Sequence, residues 1–71
     1  MDADDFEAVL RVYRAAVIDF DRVSRELVAA LREGDRKKVV GLAEADSRAH
    51  ELVSEARRRL MAMLNDPDRR Q

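Results

Sequence analysis

The side chains able to do chemistry in this chain are few. Its single histidine, His50, stands four residues after Asp46, a spacing that puts both on one face of a helix and offers a metal two ligands. With no cysteine and no second histidine the set stops short of a zinc site, and the simpler reading is a partly exposed imidazole beside Asp21. Glu44, Glu51 and Glu55 could be imagined as paired carboxylates, but acid-base work needs a pocket that shifts their pKa values. Their spacing suits solvated ion pairs instead, Glu44 with Arg48 and Glu55 with Arg59. Ser24, Ser47 and Ser54 have no base arranged around them, and the Gly34-Asp35 turn is too short for a phosphate-binding loop. The reading is therefore of a non-enzymatic protein with no catalytic residue, no metal and no cofactor.

Two basic clusters remain, Arg32, Arg36, Lys37 and Lys38 in one and Arg57, Arg58 and Arg59 in the other. Charged residues form 41% of the chain but cancel to a net charge of -1, and no aromatic accompanies either cluster for base stacking, which argues against a nucleic-acid binder. No apolar run approaches the roughly 20 residues of a membrane span. The acidic start, Asp2, Asp4 and Asp5, is unlike the basic start of a signal peptide. These features predict a cytoplasmic protein with no membrane partner.

The elements that must position these groups are helices, since the chain has two glycines, one proline and few strand-favouring runs. Phe6, Leu10, Tyr13, Val17, Phe20, Ser24, Leu27 and Leu31 recur at alternating steps of four and three, a seam along one long helix. That helix is expected over about residues 5–33, capped by Asp4 with Glu7 behind it, Asp2 and Asp5 being alternative caps. Gly34 supplies a left-handed stop and Asp35 the next cap, so the connection is residues 34–35 and the helices are antiparallel neighbours. The second helix spans about 36–64, ended by Asn65-Asp66-Pro67, and 65–71 forms a tail. Gly41, inside it, reads best as a tolerated glycine on the solvent side, the alternative being a kink or a close backbone approach.

The second helix carries Val39, Leu42, Asp46, Ala49, Val53, Ala56, Leu60 and Met63 as its seam. Folding about Gly34 opposes Leu31 to Val39, Leu27 to Leu42, Phe20 to Ala49, Tyr13 to Ala56, Leu10 to Leu60 and Phe6 to Met63. Each mid-seam aromatic meets an alanine, the large-on-small matching that fills a core without overpacking. Ser24 falls opposite Asp46, a polar layer that can fix register or hold a small ligand. The prediction is a single all-α domain, an antiparallel two-helix hairpin.

At 71 residues such a hairpin is near the size below which one chain struggles to bury a sufficient core. The expected remedy is a homodimer forming a four-helix bundle along the edge that carries Val9, Ala16, Val23 and Ala30 with Ala45 and Leu52, apolar in the middle and basic at its ends. The opposite edge, with Glu7, Arg14, Asp21, Val28, Ala43, His50, Arg57 and Leu64, reads as mostly charged. Apolar groups are left over even so: Val12 and Ile18, and Val40, Met61 and Leu64. Val12, Ile18, Met61 and Leu64, rimmed by Arg57 and Arg58, form a candidate docking site for a helical segment of another protein.

Leu27, Ala30, Leu31, Gly34, Asp35, Val39, Leu42, Arg48 and Leu52 together resemble the central hairpin of bacterial flagellar export chaperones, over about half of the chain. The resemblance implies a small helical protein that binds the helical ends of secreted filament or hook proteins. The chain is thus expected to be a chaperone, adaptor or regulator. The alternative is a small transcription regulator acting on a sigma-type factor or, through the basic tip, on DNA.

Overall fold

A computed structural model describes residues 3–65 of the chain. It contains two helices, α1 (Ala3–Glu33) and α2 (Arg36–Leu64), folded back on each other as an antiparallel hairpin. The start of α1 corrects one expectation: Asp4 is not the cap but lies with Asp5 inside the first turn, where carboxylates complement the positive end of the helix dipole. Asp2, the alternative cap, and the Asp66-Pro67 stop lie outside the described residues.

The turn is built by local chemistry. Gly34 takes φ 73°, a left-handed value that costs a side-chain-bearing residue but not glycine. Its N–H donates to Leu31 O at 3.3 Å and the Asp35 N–H to Ala30 O at 3.3 Å, which satisfies carbonyls that α1 would otherwise leave unpaired. Asp35 then caps α2: the Lys38 N–H donates to its carboxylate at 3.2 Å, and the Val39 N–H donates to its carbonyl at 2.9 Å. At the far end the Asn65 N–H donates to Met61 O at 3.0 Å.

Between the helices, α2 buries Ala49, Val53, Ala56, Leu60 and Met63, the seam residues expected of it. On α1 the seam is turned by one row. Phe6, Leu10, Tyr13, Phe20, Ser24 and Leu27 stay half-buried, but Val17 and Leu31 are exposed, and Val23 and Ala30, beside the half-buried Val9 and Ala16, take the buried positions. Val23 and Ala30 are 5% and 2% exposed, whereas Leu31 is 58% exposed. The cause is the distance that Ala49 and Ala56 permit. Small side chains on α2 let the helices approach closely, and at that spacing alanine and valine fit the centre while rings must lean to one side. Phe20 does so, meeting the His50 ring edge-on with centroids 5.6 Å apart.

Register follows the expected pairing at its polar layer, where Ser24 Oγ donates to Asp46 Oδ1 at 2.7 Å. A half-buried carboxylate answered by one hydroxyl holds the two helices against axial slippage, since a shift of one turn would strand both groups.

Candidate interaction surface

The hairpin has two broad faces, each shared by both helices. Phe20 against His50 marks one, and the Glu33–Lys38 ion pair at 3.8 Å marks the other, where Gly41 also lies. They are called the His50 face and the Gly41 face below.

On the Gly41 face two shallow hollows run between the helices. One, of about 530 Å³, is lined near the tip by Glu26, Ala29, Ala30, Glu33, Lys38, Gly41 and Leu42. The other, of about 540 Å³, is lined at the open end by Asp5, Ala8, Val9, Arg59, Ala62 and Met63. Both combine small residues with charge. A Cβ built on Gly41 would meet nothing within 4 Å, so this glycine serves no close packing inside the hairpin.

The His50 face is different. Six of the nine large apolar side chains left exposed among the described residues follow its helical rows: Val17, Val28 and Leu31 on α1, and Val40, Met61 and Leu64 on α2. Val12 and Leu52 belong to the Gly41 face, and Ile18 to the outer side of α1. Each of these is ordinary alone, but six on one face, gathered toward the two ends of the hairpin, make apolar patches of the kind that mark contact surfaces.

The residues of the expected dimer edge are largely taken up by the hairpin itself. Val23 and Ala30 are consumed by the hairpin's own seam, Val9, Ala16 and Ala45 are half-buried beside it, and only Leu52, 57% exposed, remains a large apolar group on that side. The opposite edge keeps its exposed Asp21, His50 and Arg57 and gains Val17 and Leu31, which are exposed where Val23 and Ala30 are buried.

The expected docking site is likewise divided. Arg57, Met61 and Leu64 lie together on the His50 face at the open end. Val12 is on the Gly41 face, while Ile18 and Arg58 point away on the outer sides of their helices. Val28 lies on the edge expected for it, with His50, whereas Val17 and Leu31, expected in the seam, are exposed. The signal that could have found them is the ambiguity of the stripe on α1, three rows wide where a two-helix seam uses two.

The charged groups act locally. Arg22 reaches Asp19 at 2.6 Å and Glu26 at 3.3 Å, and the first contact above all raises its guanidinium pKa from an already high value. Asp21 is held by Arg25 at 3.1 Å rather than by His50, whose neighbour is the Phe20 ring. The equally spaced Glu44/Arg48 and Glu55/Arg59 are not drawn together. Asp46 is engaged by Ser24, and no group of three His, Cys, Asp or Glu side chains among the described residues is disposed to hold a metal ion. No helix among them is long and apolar enough to cross a membrane. No protein-family model, curated protein or solved structure matches the chain.

Proposed function

We propose that the chain is a non-enzymatic protein-interaction module, a cytoplasmic chaperone, adaptor or regulator that offers its His50 face to helices of a binding partner. The observation that carries this reading is the gathering of Val17, Val28, Leu31, Val40, Met61 and Leu64 on that face. The interior adds support: among the described residues no large side chain is fully buried, and the most buried residues are mainly alanine and valine. A core this thin does not by itself offset the entropy of ordering about 60 residues at roughly 1–2 kcal/mol each. Added helices would supply the missing layer, as in a four-helix bundle. The resemblance to flagellar export chaperones supports the same class of partner, a helical segment of another protein.

The test is affinity capture from the native cell, quantified by mass spectrometry, with two double variants. Leu31→Ser with Met61→Ser removes large groups from the His50 face, and Val12→Ser with Leu52→Ser removes them from the Gly41 face. All four residues are exposed, so the hairpin persists in each. Specific capture should fall only in the first. Equal capture by both variants, or none by the wild type, would count against the reading.

A second reading rests on the tip, where Arg36 and Lys37 are exposed while Lys38 is paired with Glu33. Regulation through DNA would give salt-dependent retention that Arg36→Ser with Lys37→Ser abolishes.

A further inference from the structure

We infer that the first occupant of the His50 face is a second copy of this chain, docked antiparallel so that the tip of each hairpin lies over the open end of the other. The inference deepens the interaction-module reading and rests on it.

The need for a second layer is visible in the dimensions. The radius of gyration is 16.2 Å, against about 11 Å for a compact domain of this length. The accessible surface is 5708 Å², where a folded monomer of 8.1 kDa exposes roughly 4,500 Å². The excess is comparable to the ~800 Å² that each partner contributes to a standard interface. A stack of two hairpins removes it.

Two-fold symmetry allows two stacks, with the hairpins pointing the same way or opposite ways. The rows on the His50 face choose between them. Along α1 the row reads Leu10, Val17, Ser24, Leu31, and along α2 it reads Val40, Ser47, Ser54, Met61. Each is apolar at both ends and polar toward the middle. An axis crossing the hairpin at half its length lays Leu10 on the partner's Leu31, Val40 on the partner's Met61, and Ser47 on the partner's Ser54. The same axis lays Val17 on the partner's Ser24, so apolar meets apolar at the ends of both rows and hydroxyl meets hydroxyl at the middle of α2.

The alternative axis, along the hairpin, also matches apolar ends. It gathers Arg32, Arg36, Lys37 and Lys38 of both chains at one end, however, with Glu33 and Asp35 too few to answer them. It also brings Arg14 of one chain toward Arg57 of the other. The opposed arrangement instead brings Arg36, in the row of His50, toward the end of the partner that carries Glu7, so opposite charges meet at both ends.

The absence of cysteine makes the test direct. Lys37→Cys, exposed at the tip, is spin-labelled for a dipolar distance measurement. Opposed hairpins separate the labels by roughly the length of a helix of this size, about 45 Å; a distance under about half of that would show tips together and overturn the orientation. A monomeric mass in sedimentation, with no dipolar coupling, would overturn the second copy altogether. Charge reversal supplies an independent arm. Val40→Glu alone and Met61→Lys alone should each weaken dimerisation about tenfold or more, and the double variant should restore it, because only opposed hairpins bring residue 40 onto the partner's residue 61. Failure of that rescue would overturn the pairing. A monomer that still captures a partner protein through the His50 face would remove the dimer and leave the module. A dimer that captures nothing would do the reverse.

Discussion

Replacing Gly41 by alanine should stabilise this protein, and the size of the gain reports which face of the hairpin is covered. Gly41 is the sixth residue of α2, within the regular helix and beyond the fraying first turn. A methyl group there meets nothing within 4 Å, so neither a clash nor a packing gain enters the estimate. What remains is the backbone: glycine in a helix interior is about 0.8–1.0 kcal/mol worse than alanine, mostly through the conformational freedom it loses on folding. For a domain of this size that corresponds to a rise in Tm of about 4–8 °C, or a shift of the urea midpoint approaching 1 M at a slope near 1 kcal/mol/M. The assay is helical circular dichroism against temperature and urea, with wild type and Gly41→Ala at the same chain concentration, since an associating protein has a concentration-dependent midpoint. The reasoning fails if the variant is unchanged or less stable. Such a result would mean that another backbone approaches Gly41 closely enough for a methyl group to intrude. The hollow formed with Ala29 and Ala30 would then be an occupied interface, and the His50 face would not be the one that a second chain covers.

Three further substitutions test the hairpin itself. Gly34→Ala forces a Cβ into a left-handed turn at φ 73° and should cost about 1–2 kcal/mol by thermal or urea unfolding; a neutral outcome would show that the turn relaxes to another conformation. Ser24→Ala leaves the half-buried Asp46 carboxylate without its hydroxyl and should cost about 1–3 kcal/mol. A double-mutant cycle with Asp46→Ala should return a coupling of comparable size, and additive losses would show that the 2.7 Å contact does not pair the helices in solution. Ala49→Leu, at a site 4% exposed, should cost about 1–3 kcal/mol by overpacking, and a stabilised variant would mean that α2 does not press this residue against α1.

How far these features could be read from the sequence depends on the range of the interactions that set them. The turn was legible because Gly34 and Asp35 act on groups at most five residues away: one supplies a positive φ, the other a capping oxygen. The pairing of Ser24 with Asp46 followed from that turn, since two straight helices leaving a two-residue connection have little freedom to slide. The start of α1 was misplaced because Asp2, Asp4 and Asp5 are all competent caps, and nothing local chooses among them. The phase of the seam was harder for a different reason. Three adjacent rows of α1 are apolar, and which two face α2 depends on how closely the helices approach, a distance set by Ala49 and Ala56 on the other strand of the hairpin. Large-on-small matching had been read as rings inserted between the axes. Val23 and Ala30 instead take the centre, and the half-buried Phe20 lies beside it with its ring edge-on to His50. That rotation decides the functional surface as well as the core. With Leu31 and Val17 inside, the sticky edge would be that of Val23 and Ala30, and a partner would cover Gly41. With Val23 and Ala30 inside, the same apolar content emerges on the His50 face, where its distribution along the hairpin favours a partner running the opposite way.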